Sequence, residues 1–495
     1  MKTKTDIAII ENLEKLPVDY WDFKEEDTKE YTHGIHNYPA MMVSPISRNI
    51  ISLMNNYIKI DSLLDPFVGS GTVLVEGMLA GIKNVSGTDI NPLALFLSKA
   101  KTTKLDTKKL MKEVEKLKDK LDKQYEKYGS KIAGANEYII SELNLDITAK
   151  KVWGTDAPQY LSKYCEENNL PLKVPDFKNI GYWFTPNVIL ELALIKSEIN
   201  EILDEEIKRY VFVAFSETIR LVSNRRNGEF KMFRMPAAKV LIHNPDVQME
   251  FLKILDRNRK KMENFVQYLE DNKCISHVGV YENNACILND VQDNQYDLIV
   301  TSPPYGDSRT TVAYGEYSRL SLQWIDLFEL SEKEIMGVDK SLLGGEKYRN
   351  GFVFELDSNT LRESLDKIKD IDLERAGDVY SFYEDLDKAI GSAARKTKVG
   401  GYHFWVVGNR TVKGELLKTD VIITELAVKY NLENVYTINR NIPNKVMPSL
   451  NSPTNEAGVK LSTMTMEHSC ALEAERRLSI RRQTGSLPLA GGLHG

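Results

Sequence analysis

Ser302, Pro303, Pro304 and Tyr305 stand in a row in the stretch TSPPY (Thr301–Tyr305), directly behind the apolar run DLIV. Two prolines fix the backbone and remove two N–H donors, while their carbonyls stay available as acceptors. Pro303 also holds Ser302 in an extended conformation. The Ser302 hydroxyl and the Pro303 carbonyl then form a pair of acceptors with the Tyr305 ring alongside. An exocyclic amino group needs that arrangement, because its lone pair is delocalised into the base and makes it a poor nucleophile. Gripping both of its hydrogens pyramidalises the nitrogen and aims the lone pair at an electrophile, while the tyrosine stacks on the base. A rigid structural turn is the plain alternative for a Pro-Pro pair, and a second motif decides between the two.

That motif is DPFVGSGT, Asp65–Thr72, between a predicted strand and a predicted helix. Gly69 and Gly71 let the backbone turn sharply and approach a ligand that a Cβ would exclude. The helix beginning after Thr72 aims its free N–H groups into the same space. Asp89 ends the next strand, 20 residues beyond Gly69, where an acid can accept hydrogen bonds from both hydroxyls of a ribose. A nucleoside cofactor is implied. Leu74 stands where a nicotinamide-binding loop would carry its third glycine, and no lysine follows in the manner of a P-loop.

The elements around these motifs read as a doubly wound α/β domain. The strand ending in LLDPF, the helix TVLVEGMLAG and the strand NVSGTD make a βαβ unit, which implies a parallel sheet. The rhythm returns at YDLIVTSPPY and continues through a helix near Asp378–Thr397, the strand YHFWVV, a helix at Val421–Tyr430 and the strand NVYTINR. Between the two halves lies a stretch without βαβ rhythm. It opens with a charged amphipathic helix at 105–127 that reads as a solvated surface helix. Helical patterns follow at Val188–Leu203, Glu205–Leu221 and Val247–Leu269. In doubly wound sheets the ligand crevice lies at the carboxyl ends of the strands, so both motifs face one crevice.

At these residues the sequence resembles the amino-group (N4-cytosine or N6-adenine) DNA methyltransferases. The resemblance implies a class I, Rossmann-like methyltransferase fold with a mainly parallel sheet, here interrupted by a largely helical insertion, and S-adenosyl-L-methionine as cofactor. DPFVGSGT is similar to the family's cofactor loop, which makes Asp65, Phe67, Gly69, Gly71, Thr72 and Asp89 candidate cofactor contacts, and TSPPY is similar to its catalytic motif. HNYPAMMVSP (His36–Pro45) resembles the upstream motif, which adds Tyr38, Pro39 and Ala40. Asn284, in NACIL, stands where the family usually has an acid touching the adenine ring, with Asp290 nearby as a second candidate. Weaker likeness continues at GGYHFWVVGNR and NRNIPNK. By the same resemblance the insertion is the target-recognition region, and a serine before Pro-Pro is more usual for cytosine than for adenine.

The insertion supplies a basic turn, SNRRNGEFKMFR, with Arg225, Arg226, Lys231 and Arg234 interleaved with Phe230 and Phe233. From Arg220 to Met262 there are 11 Lys/Arg against 4 Asp/Glu, a local +7 in a chain of net charge −6. Such a patch suits phosphate contacts and base stacking, with a solvated charged face as the alternative. Arg309 and Tyr314, in the polar loop after the catalytic motif, are further candidates for DNA or an extruded base.

The 495 residues therefore divide into 1–104 and 276–468, the two parts of the methyltransferase domain, and the insertion 105–275. The remainder, 469–495, has four arginines and no lysine and ends in a Gly/Leu/Pro-rich string, so it reads as a disordered or vector-derived tail. Four scattered cysteines without a CxxC pair argue against zinc or a disulfide framework and fit a reducing cytoplasm. They also argue against carbon-5 cytosine chemistry, since none follows a proline. No apolar stretch of spanning length is present and the N-terminus does not read as a secretory signal, so no membrane association is expected. The expected activity is methylation of cytosine N4 in duplex DNA at a specific site, in a restriction–modification system whose cognate endonuclease acts separately. Adenine N6 methylation, an RNA guanine methyltransferase and a catalytically silent DNA-binding subunit are the competing readings.

Overall fold

The computed structural model describes residues 2–226, 230–307, 312–442, 450–451, 461–462 and 466–474. Its main sheet has seven strands: β1 Ser62–Asp65, β2 Asn84–Asp89, β3 His277–Glu282, β4 Tyr296–Thr301, β5 Thr397–Gly408, β6 Leu432–Asn441 and β7 Met466–Ala474. Their order across the sheet is β3-β2-β1-β4-β5-β7-β6. The first five run parallel to their neighbours, and β7 is antiparallel to both β5 and β6. This is the class I, Rossmann-like methyltransferase fold.

Strand alternation divides the core. Leu63, Leu298, Val300, Phe404, Val406 and Ala471 point to one face, where helix Ser44–Asn55 packs with Ile46, Ile50 and Met54. Leu64, Ile299, Trp405, Val407, Cys470 and Leu472 point to the other, against Leu386 and Ile390 of helix Leu373–Lys396 and Ile422 and Ile423 of helix Thr419–Ala427. Covering both faces makes the central strands continuous apolar runs, the signature that DLIV and YHFWVV carry in the sequence.

Among the described residues the chain between β2 and β3 is mostly helical. Helix Thr107–Glu137 is longer than its charged pattern suggests, and it is no free surface helix. Leu110, Leu117, Leu121, Tyr128 and Ile132 form a narrow buried stripe against helix Pro186–Asn200 and its neighbours. That helical core is continuous with the α/β domain. It includes Leu93 and Phe96 from helix Pro92–Thr102, and Trp324, whose ring meets Phe177, Phe184 and Phe215 edge-on.

The end of the chain corrects the sequence reading. Ser469–Ala474, placed in the tail by composition, are the last six residues of β7; Ser469–Glu473 pair on both sides and Ala474 pairs with β6. Cys470 and Leu472 are fully buried there. The switch from lysine to arginine occurs only after this strand, and the apolar alternation SCALEA belongs to the sheet. Residues 475–495 lie outside the described residues.

Candidate active site

The glycine loop leaves the carboxyl end of β1 and enters helix Thr72–Leu79. Gly69 has φ +48° and Gly71 φ +86°, the left-handed region that a side chain disfavours. A Cβ on Gly71 would stand 3.0 Å from the Ser98 Cα, so helix Pro92–Thr102 packs directly on the loop backbone. Ser98 Oγ donates to the Gly69 carbonyl at 2.8 Å.

Asp89, at the end of β2, accepts from the Gly69 amide at 3.0 Å, Ile90 at 2.8 Å and Asn91 at 2.9 Å. Burial pushes its carboxyl above the ordinary value, and the three amides pull the other way. Asp65 is buried at the end of β1, where one oxygen accepts from the Phe67 amide at 3.0 Å and the Thr301 hydroxyl at 2.6 Å. Burial pushes its carboxyl up to about 7. The Thr301 contact joins the glycine loop to the start of the Pro-Pro corner.

Between these elements opens a cleft of about 820 Å³, counting its open mouth. Tyr38, Pro39, Ala40, Asp65, Phe67, Gly69, Thr72, Asp89 and Asn284 all line it, as do Ser302, Pro304 and Tyr314. Gly71 lies beneath, against Ser98. The Asn284 side chain accepts from the Cys286 amide at 2.8 Å, and Asp290 is held by the Asn283 side chain at 2.8 Å. Asn91 was not singled out by the sequence analysis, yet it ties three parts together. Its side chain caps helix Pro92–Thr102 through the Leu93 amide and donates to Tyr38 Oη and Ser318 Oγ, each at 2.9 Å. The signal for it was local: an asparagine N-cap followed by proline at the first helical position.

At the corner, Ser302 Oγ donates to Tyr305 Oη at 3.3 Å, and Tyr305 Oη donates to Glu467 Oε1 in β7 at 3.1 Å. Arg440 Nη1, from β6, donates to the other Glu467 oxygen at 2.6 Å. Burial holds the Tyr305 hydroxyl well above its ordinary pKa, with the Glu467 charge adding to it. Asp307, fully buried just past the motif, lies 3.1 Å from Arg375 and 3.3 Å from Arg410. Neither Glu467 nor Arg440 carries a local sequence signal, because only the pairing of β6 with β7 brings them together.

The basic turn divides. Arg225 is 6% exposed, and its guanidinium donates to the carbonyls of Arg220 and Arg226. Arg234 donates to the carbonyls of Thr148 and Ile147 and lies over the Tyr182 ring. Two nitrogens of each guanidinium donate to backbone carbonyls, so these two arginines brace the turn. Arg226 is exposed and Lys231 half-buried, while Phe230 and Phe233 are 44% and 50% exposed. The turn rests on helix Tyr314–Trp324, with the Met232 amide donating to Glu316 at 2.7 Å and Phe230 against the Tyr317 ring. Tyr314 and Tyr317 in turn flank Tyr38, so one aromatic run joins the turn to the cleft. Arg309 lies outside the described residues.

The sequence is 41% identical over 461 residues to the type II methyltransferase M.MvaI of Kocuria varians, covering 90% of this chain and 92% of that one. The chain belongs to the type II methyltransferases. A second member, M.MjaII of Methanocaldococcus jannaschii, is 24% identical over 320 residues, covering 59% of this chain and 56% of that protein. No protein-family profile matches the sequence. An rRNA methyltransferase, aviRa from Streptomyces viridochromogenes, overlays 89% of each chain at 10% identity with a TM-score of 0.27, too loose an overlap to bear on fold or substrate. As a type II methyltransferase, this chain is an enzyme that moves a methyl group from a donor to an acceptor atom.

Proposed function

We propose that this type II methyltransferase transfers a methyl group from S-adenosyl-L-methionine to the N4 amino nitrogen of cytosine in duplex DNA, at a specific site, as the modification half of a restriction–modification pair. The observation that carries the reading is the position of Ser302: the residue lines the same cleft as Asp89, and its hydroxyl donates to Tyr305, which is not among the lining residues.

The cleft suits the donor. Asp89 lines the cleft and presents an acceptor for the ribose hydroxyls. Ile90 and Phe67 add apolar surface for a purine, and Gly69 leaves the loop backbone without a Cβ towards the ligand. The donor supplies an electrophilic methyl on a positively charged sulfur; the rest falls to the protein. Ser302 and the Pro303 carbonyl take the two amino hydrogens and fix the nitrogen lone pair in line, and Tyr305 offers its ring to the base. Such a base reaches the cleft only when extruded from the duplex.

For duplex DNA the insertion 105–275 serves as the target-recognition region, with Arg226 and Lys231 on phosphates and Phe230 and Phe233 against bases. The cognate endonuclease acts as a separate protein in the same cytoplasm. Among the described residues no helix is long and apolar enough to cross a membrane, and no cluster of metal-ligating side chains is present. Incubating the protein with labelled donor and unmethylated DNA tests the reading: label in the cytosine nucleoside supports it, and label confined to adenine overturns the choice of base.

A further inference from the structure

Four polar groups run from the cleft into the sheet: Ser302, Tyr305, Glu467 and Arg440. Chemistry fixes the direction of every proton in this chain. Glu467 and Arg440 face each other across the ladder between β6 and β7, 2.6 Å apart, with side chains 14% and 6% exposed. A carboxylate paired with a guanidinium only accepts. Tyr305 has a single hydroxyl proton, and the contact with Glu467 uses it. Ser302 must therefore be the donor in its 3.3 Å contact with Tyr305, which leaves the serine lone pairs for the cleft. Were Glu467 neutral, Tyr305 could turn its proton towards Ser302 and compete with the substrate for those lone pairs.

We infer that Glu467 is a positioning residue for amino methylation: through Tyr305 it sets the Ser302 hydroxyl as an acceptor, and it receives the proton that the amino group must shed. The inference rests on the proposed amino-group chemistry. In the transfer, the nitrogen lone pair forms the new N–C bond while the methyl–sulfur bond breaks and leaves its electron pair on sulfur. The nitrogen then holds one proton too many. That proton passes to Ser302 as the serine proton passes to Tyr305 and the tyrosine proton to Glu467. Nitrogen, serine and tyrosine end neutral, and Glu467 ends as a carboxylic acid whose partly exposed edge returns the proton to water.

The test is a double-mutant cycle in the full chain with Tyr305→Phe, Glu467→Gln and the pair, measuring single-turnover transfer to unmethylated plasmid DNA. Donor affinity by calorimetry and the melting midpoint are read alongside. Each single substitution is expected to slow transfer by about a hundredfold, the lower end of proton-transfer effects. Donor affinity should stay within about twofold, the double variant should be no slower than the slower single one, and Glu467→Asp should recover part of the rate. Full activity of Glu467→Gln, or losses that multiply in the pair, would overturn the inference. The proposed chemistry is judged separately on the wild-type product. Methylated adenine alone removes the cytosine assignment and leaves the cycle to decide the relay; no transfer to DNA at all overturns both.

Discussion

Ending the chain at His468 removes Ser469–Ala474, the strand half that composition alone assigns to the tail, and the structure makes this a severe change. The lost segment sits between β5 and β6, paired with both. Five residues of two-sided antiparallel ladder, with Ala474 paired on one side, make roughly 10 backbone hydrogen bonds, each worth a net 0.5–1.5 kcal/mol, or about 5–15 kcal/mol together. Burial of Leu472 adds about 1.5–3 kcal/mol, with Cys470 and Ala471 contributing further. The sum matches or exceeds the whole net stability of a typical domain, about 5–15 kcal/mol. Glu467 and His468, left on a stub, would also lose the strand that carries them under Tyr305. Thermal unfolding and donor titration of two truncations, one ending at His468 and one at Ala474, provide the assay. The first should lose cooperative unfolding and donor binding, and the second should keep both. A chain ending at His468 that melts like the full protein and still binds donor would refute this account of the sheet.

Asp89→Ala should weaken S-adenosyl-L-methionine binding by roughly 1.5–3 kcal/mol, the usual worth of charged hydrogen bonds, with unchanged affinity by calorimetry removing Asp89 from the site. Gly71→Ala meets both a φ of +86° and the Ser98 backbone at 3.0 Å, so a melting midpoint equal to wild type would contradict the loop geometry. Asp65 has its folded pKa raised by burial from 3.8 to about 7, so it favours the folded state below about pH 4 and that contribution is lost as pH rises through 7. Relative to wild type, Asp65→Asn should therefore gain stability between pH 5 and pH 8 in the donor-free protein, and a constant difference between the two pH values would count against the buried carboxyl. Replacing Arg226 and Lys231 with alanine should flatten the salt dependence of DNA binding while donor affinity persists. Replacing Arg225 or Arg234 should instead lower the melting midpoint.

Much of the cleft was legible because its residues announce themselves within a few positions. Strand, glycine turn, helix and acid follow one another from Leu63 to Asp89, and TSPPY sits at the end of an apolar strand. What escaped is what depends on partners distant in the chain. The edge strand β3 is largely exposed, so HVGVYE lacks the apolar run that marks β4 and β5. The charge count over the basic turn could not separate Arg226, which faces solvent, from Arg225, whose donors go to backbone carbonyls. Glu467 and Arg440 stand 27 residues apart, and the intervening chain gives no hint that their strands pair. The composition of the last residues misplaced the end of the sheet because arginine usage changes just where β7 finishes.

The central claim, amino methylation of cytosine in DNA, is tested most directly by enzymatic digestion of DNA from cells expressing the protein, followed by mass spectrometry of the nucleosides. The account predicts N4-methylcytosine that disappears when Ser302 is replaced by alanine or Asp89 by alanine. N6-methyladenine as the sole new nucleoside, or 5-methylcytosine in its place, would contradict it.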